Sequence, residues 1–484
     1  MTCVDTDLED QLEALRLSDL CCEVLHGNTV SEPSIASSFW SFTLPQLSQS
    51  SGVLRSATAA FGAAIKAQLL AKQHPSLQLA RHYGQAVRDI QHELAAGEAL
   101  SVPLAASCLL LALTDVLASH ENQALAHLKG TLALLQRRQA LLSKADVGCT
   151  AVTQQYSIHD EIDAAAVMAD LGTATYMMDE ACRLPGLDTR HFHISAQDAC
   201  SRLAHLELRV VQALHHCYSW CSHASSTYRF APYTPRPVSV PIDQGRHAGR
   251  LTQLLNELNE GIPNFNARQR RRALLLRMQC SSAYVCLATR LDLYECTYDN
   301  FTSNWRSIVQ DAETLGRECS NRQARLRSDP PVVRLLPDIG TIAPLFHVAN
   351  KCRHPYIRRR AIVLLTQSRY EGPWSTDRIV PLALRAMAIE EGQASMHFEE
   401  FREEACAVST FIPEQHRLTG IGIAADAASD GNAAEATAVF TRFMMTDCAV
   451  QASVADTATV PDQWREWRER LSLRRPQAET LEIL

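Results

Sequence analysis

Apolar side chains recur every three or four positions along almost the whole chain. From Leu203 onward, Leu203, Leu206, Val210, Leu214, Cys217 and Cys221 share one helical face. Leu125, Leu128, Leu132 and Leu135 repeat the period, as do Leu251, Leu254, Leu255 and Leu258. Strand-like runs, in which β-branched residues alternate with polar ones between turn signals, are nearly absent. The pattern predicts an all-α fold, an irregular multi-helix bundle, and no fixed-period self-similarity marks a solenoid. The most apolar run, residues 102–118, is slightly short for a bilayer and holds Asp115, so it reads as a buried core helix rather than a membrane span.

The breaks in this pattern divide the chain. Residues 225–249 contain Pro232, Pro235, Pro237 and Pro241 and read as a long loop. Shorter breaks fall at 146–156, 328–331 and 368–375. The expected organisation is an acidic segment over 1–30, a helical half over 31–224, the Pro-rich loop over 225–249 and a second helical half over 250–484. In the acidic segment Leu8, Leu12 and Leu15 line one helical face, which suits either a surface helix or pairing with a partner helix.

Composition narrows the function classes. A chain of 484 residues with 46% hydrophobic side chains fills one large core or several smaller ones. Its first residues carry Asp5, Asp7, Glu9, Asp10 and Glu13 where a secretory leader has positive charge and an apolar run, so an intracellular protein is expected. The sixteen cysteines are scattered, which favours reduced, buried thiols over a disulfide framework. A net charge of −7 argues against a broad phosphate-binding face, so DNA contact has to come from a local patch or another chain.

Each candidate for chemistry has a plainer reading. His215, His216, Cys217, Cys221 and His223 are the densest set of metal-ligand types, yet both cysteines continue the apolar stripe from Leu203 and read as core. His347, Cys352 and His354 lack a fourth ligand nearby. No G-x-S-x-G, H-E-x-x-H or glycine-rich phosphate loop occurs, and Gly420 and Gly422 in LTGIGIAAD read as a loop. His159, Asp160 and Glu161 read as the start of a helix capped from Ser157. Two basic clusters, Arg268 with Arg270, Arg271 and Arg272, and Arg358 with Arg359 and Arg360, run into apolar helical stretches. They read as solvated faces with acidic partners, although a phosphate or an import receptor is the alternative. No catalytic, cofactor-binding or metal residue emerges, and the chain reads as a non-enzyme.

Several segments carry a resemblance. Residues 31–67 hold the pair Phe39 and Trp40 followed by Leu-Pro-Gln-Leu-Ser, then a helix. LARHYGQAVRDIQHEL follows from Leu79, and SCLLLALTDVL with NQALAHLKGTLALL from Ser107. KCRHPYIRRRAIVLLTQSRYEGPWST from Lys351 ends with Glu371, Gly372 and Trp374. In order and spacing these resemble the regulatory region of fungal zinc binuclear-cluster transcription factors, over roughly residues 20–420. The resemblance implies an all-α regulatory domain in which Phe39 and Trp40 form an aromatic anchor and residues 127–135 pack on 104–117.

The same family reads DNA through six cysteines in two C-x-x-C clusters, and the N-terminal residues here offer Cys3, Cys21 and Cys22. The expected function is therefore a fungal-type transcriptional regulator without its own zinc-cluster head, acting in the nucleus on a pathway such as secondary metabolite biosynthesis. Its expected partners are proteins, including a DNA-binding transcription factor, with DNA reached indirectly, a small-molecule effector as a further ligand, and no membrane. An all-helical adaptor without a transcriptional role, placed in the cytoplasm, is the alternative.

Overall fold

The computed structural model of the protein describes residues 3–31, 34–69, 77–97, 101–118, 120–145, 158–176, 199–224, 227–228, 235–325, 335–336, 339–367, 370–371, 374–393, 412–423, 435–443 and 464–472. Helices dominate them, as the periodicity predicts. In chain order the first are α1 (Cys3–Ser31), α2 (Leu44–Ser50), α3 (Gly52–Leu69), α4 (Leu77–Ala95), α5 (Val102–Leu117), α6 (Glu121–Ala145), α7 (Ile158–Tyr176), α8 (Ala199–Ala224), α9 (Ser239–Gly261), α10 (Ala267–Thr289) and α11 (Thr302–Arg325). The two-residue strand β1 (Leu335–Leu336) precedes α12 (Ile342–Lys351) and α13 (Pro355–Leu365). Strands β2 (Tyr370–Glu371) and β3 (Trp374–Ser375) lead into α14 (Thr376–Glu390), and β4 (Gly420–Ile423), β5 (Glu435–Phe443) and β6 (Trp464–Ser472) close the described chain.

Helix α3 is the centre of the N-terminal layer, packed against α1, α4 and α5. Its sequence explains the closeness of that packing, because Ala57, Ala60, Gly62, Ala63 and Ala64 are small and let neighbouring backbones approach. At Gly62 the approach is extreme: a Cβ there would sit 1.9 Å from the Leu17 carbonyl oxygen on α1. Leu17, Cys21 and Leu25 form the buried stripe of α1, and Ser18 adds a hydroxyl contact to Thr58 at 3.0 Å. Leu12 and Leu15, by contrast, remain about half exposed on the same helix (47% and 49%), so they do not belong to the intramolecular stripe. The side chain of Leu8 lies outside the described residues.

Phe39 and Trp40 occupy a π-helical turn (Phe39–Thr43) just before α2. Both are fully buried, with ring centroids 4.9 Å apart in an edge-to-face arrangement, the geometry favoured by the aromatic quadrupole. The same core takes in Leu128, Leu132 and Leu135 of α6 against the almost wholly buried α5. No described helix is long and apolar enough to cross a membrane.

Helix α10 joins two cores. Ala273, Leu276, Cys280, Ala283 and Leu287, spaced by three and four, face the first core with α1–α9. Leu274, Leu275, Met278 and Val285 face a second core built from α11, α12, α13 and α14. The capping box at Asn266 and Gln269 fixes where this helix begins.

Three expectations change. Residues 239–249, expected as loop, form the first turns of α9, because Pro241 lies in the opening turn, where a missing N–H breaks no helical hydrogen bond. Gly420 and Gly422, expected in a loop, lie in β4, which pairs antiparallel with β5. The part of the chain expected to be a helical half thus includes a β4-β5-β6 sheet among its described residues, packed on α14 through Ala438, Phe440 and Leu418. The expected breaks at 146–156 and 328–331 lie outside the described residues.

The α1–α3 contact supplies a test. Gly62→Ala is expected to destabilise the protein by about 1–3 kcal/mol, the range for overpacking, since the obstruction is backbone and cannot rotate aside. Thermal unfolding of the variant beside wild type measures it, and an unchanged midpoint would reject the packing described for α1.

Candidate functional site

The strongest concentration of buried charge lies where α12, α13, α14 and the segment before β4 meet. Glu390, at the end of α14, accepts from Arg353 at 2.7 Å, from Arg358 at 2.7 Å and from the backbone N–H of Leu418 at 2.7 Å. Glu295 accepts from Lys351 at 2.8 Å and from Arg353 at 3.2 Å. Arg417 holds Asp299 in a two-pronged contact at 2.9 and 2.7 Å, and the Glu414 carboxylate accepts from the backbone N–H groups of Glu295 and Cys296 at 2.6 and 2.8 Å. Lys351 also donates to the Thr419 carbonyl at 2.8 Å and stands 5.2 Å from the centre of the Tyr298 ring. Glu295, Glu390, Arg353, Arg358 and Arg417 are buried there while Asp299 reaches solvent, so most of this charge meets its partner out of water, the condition under which buried charge is tolerated.

Local sequence sets this geometry. Cys352 and His354 are extended between α12 and Pro355, which starts α13, and Arg353 between them donates to the Lys351 carbonyl at 2.7 Å. Burial alone would raise the Glu390 carboxyl, but Arg353 and Arg358 outweigh it and hold it at about 2. Burial likewise opposes the charge on Arg353, and Glu390 together with Glu295 more than offsets this, leaving the guanidinium above its ordinary value. Burial, aided by Arg353, holds Arg358 below its own ordinary value although Glu390 and Glu391 raise it.

The Arg358–Arg360 cluster is therefore inward and paired rather than a solvated face. Arg358 is buried on Glu390, Arg359 grips Glu391 at 3.0 and 2.6 Å, and Arg360 reaches Glu313 at 2.6 Å. The acidic partners expected for it are present. In the other cluster Arg268 and Arg270 are exposed, whereas Arg272 is buried against Glu207 at 2.6 Å, and Glu207 also accepts from the Ile35 N–H at 2.9 Å.

Among the described residues, no group of three or more His, Cys, Asp or Glu side chains is placed to hold a metal ion. Cys217 and Cys221 are buried on α8, and burial pushes the Cys221 thiol up. Cys280 is pushed up to about 12 and Cys352 to about 11 by the same cause, so neither offers thiolate near neutral pH. His215 faces Asp170 at 3.4 Å, His216 stacks with His247, and His223 is exposed. His347 contacts Ser282 through Nδ1 at 2.9 Å and packs edge-on against Trp305 at 5.0 Å. Although the residue keeps some exposure, its Nε2 is buried, and burial aided by Lys351, Arg290 and Arg353 lowers the ring to about 3. His354 is exposed and precedes α13 at its N-cap position, without a side-chain capping bond. Glu161 accepts a hydrogen bond from Thr43, while the side chains of His159 and Asp160 lie outside the described residues, as does Ser157.

Elsewhere, a smaller polar cluster joins α4, α5 and α6. The Tyr83 hydroxyl donates to buried Asp115 at 3.1 Å and stands 3.0 Å from His127 Nε2. Burial, then Asp115, raises the Tyr83 phenol; burial lowers His127 while Asp115 resists. Farther along the chain, Glu371 accepts from the Ile342 N–H at 2.5 Å and from Thr341 at 3.0 Å, tying down the start of α12. Trp374 donates to Thr175 on α7 at 3.2 Å, binding the second core to the first. Gly372 lies outside the described residues.

Residues 23–165 match the family model described as the fungal specific transcription factor domain. The stretch begins within α1 and ends within α7, covering less than a third of the chain, and it contains the Phe39–Trp40 anchor and the Tyr83–Asp115–His127 cluster. No curated protein and no solved structure gives a significant match. The regulatory-domain resemblance thus holds over these residues, whereas the block from Lys351 lies beyond the matched stretch. Asp115 in its apolar helix was visible in the sequence, but Glu295 and Glu390 were not, because nothing in AMAIEEG distinguishes an inward carboxylate from an outward one.

The ionic network generates a pH prediction. His347 and Glu390 both have folded values below their ordinary ones of 6.5 and 4.5, so the unfolded chain binds more protons at intermediate pH and stability rises with pH. The His347 contribution is complete above about 6.5 and is lost as pH falls toward about 3; that of Glu390 is complete above about 4.5 and is lost toward about 2. Urea midpoints are expected to start falling below pH 6.5, with His347→Gln flattening that upper stage. At neutral pH, Glu390→Gln is expected to cost about 3–5 kcal/mol by leaving two buried guanidiniums short of a counter-charge. A variant as stable as wild type would contradict the network.

Proposed function

We propose that the protein is a fungal-type regulator of transcription that works in the nucleus and controls a pathway such as secondary metabolite biosynthesis. The observation that carries this reading is the match over residues 23–165 to a transcription factor domain, on helices whose polar groups serve packing. The matched family is one of transcription factors, which favours regulation over turnover. In this reading DNA is reached through a zinc cluster supplied from outside the 484 residues, on a partner transcription factor or on an extension of the chain. The inward pairing of Arg272, Arg358, Arg359 and Arg360 supports an indirect route to DNA, since these guanidiniums are committed to carboxylates.

Chromatin immunoprecipitation with sequencing on the tagged protein, beside its cellular location, tests the reading. Enrichment at a restricted set of promoters, with altered transcripts from those genes on deletion, is expected. Exclusion from the nucleus without enrichment would reject it and leave the helical adaptor.

A further inference from the structure

Helix α1 changes character half-way along the face it turns to α3. Positions 10, 14, 17, 21 and 25 step by four, three, four and four, so they share one helical face. The last three are Leu17, Cys21 and Leu25, all buried. The first two are Asp10 and Ala14, with Glu13 beside them. A face that is apolar from Leu17 onward is thus acidic in the turns before it. The packing on α3 runs antiparallel: Ser18 meets Thr58, Leu17 meets Gly62, and one turn nearer the N-terminus Glu13 stands 3.5 Å from Lys66.

Burial follows the same division. None of residues 9–16 is buried, whereas Leu17, Ser18, Cys21 and Leu25 are. Among the described residues, polar contacts at the surface hold the earlier part. Arg81 on α4 donates to both oxygens of Asp10, at 2.6 Å to Oδ1, Gln78 donates to Glu13, and Lys66 in the last turn of α3 pairs with that same carboxylate. The Arg81 guanidinium holds the Asp10 carboxyl below its ordinary value. Side chains in these two ion pairs keep 36% to 63% of their surface in water. Ala14 adds one methyl group against the core.

The two parts of α1 therefore differ in what opposes their release. Exposed ion pairs contribute little and are screened by salt. Buried leucines stabilise far more and do not depend on charge. Local opening starts where few apolar contacts hold an element, and from the end of a helix it stops where burial begins, which here is Leu17. A helical segment of about two turns has little stability of its own once undocked, so release means loss of helix. The segment precedes the matched stretch 23–165 and docks on α3 and α4 inside it. We propose that residues 9–16 form a charge-held strap that comes away from α3 and α4 while residues 17–25 stay anchored, with the contacts to Lys66 and Arg81 setting whether it is docked.

Hydrogen exchange read by mass spectrometry on the full chain tests this at about 0.1 M and about 1 M salt, between which the screening length falls from about 10 Å to about 3 Å. Amides of residues 9–16 are expected to exchange about fivefold to tenfold faster at the higher salt, the factor for losing two exposed ion pairs, while those of residues 17–26 keep their protection. Arg81→Glu sets a carboxylate against Asp10 and is expected to give the same acceleration at the lower salt. Asp10→Arg combined with it restores an ion pair of opposite polarity and the protection. The salt comparison on wild type decides the matter if a variant fails to fold. Protection of residues 9–16 that ignores salt, amides there already unprotected at the lower salt, or a salt response shared equally by residues 17–26 would overturn the proposal.

Discussion

The architecture depends on α10 being buried on nearly every side. A helix with a single apolar stripe builds one core and turns its other face to water, but α10 offers Leu276, Cys280 and Leu287 to one cluster and Leu274, Met278 and Val285 to another. Its polar groups serve the same end. Arg272 reaches Glu207 on α8, Arg277 reaches Asp311 on α11, Gln279 donates to the Gly340 carbonyl, and Ser282 meets His347 on α12. Successive turns of one helix thus fix elements from both halves, and the two cores have no independent boundary. The bond from Trp374 to Thr175 closes the arrangement on another side.

Charge inside the second core follows from this closure. Once α12, α13 and α14 are drawn together, Glu390 and Glu295 lie within reach of Arg353, Arg358 and Lys351, and each ion depends on the others because solvent cannot compensate a missing partner. Such a network rigidifies the junction through geometry more than it adds net stability. It also accounts for the basic run at Arg358–Arg360, which resembles a nucleic-acid or import signal in one dimension and is a set of internal ion pairs in three.

The match to the fungal specific transcription factor domain falls on the N-terminal layer. Small residues along α3 permit the backbone contact at Gly62, the π-helical turn delivers Phe39 and Trp40 into the space between helices, and Asp115 is held by Tyr83 with His127 alongside. The transcription factor domain match falls on these elements. The matched stretch holds close packing contacts, and no reactive motif was legible in the sequence.

Periodicity by itself determined that the chain is helical, that residues 102–118 are core, and that Cys217 and Cys221 continue a buried stripe, because a 3.6-residue period is a local property. The Phe39–Trp40 anchor was legible for a similar reason: two adjacent large aromatics must find an interior. Only the tertiary structure decided which way Glu390, Arg272 and Arg358 face, because the direction of a charged side chain depends on partners distant in sequence. The same holds for the C-terminal sheet. Gly420–Ile423 has too few side chains to announce a strand, and the charges of β6 disguise its alternation, so pairing with β5 supplied what local pattern lacked.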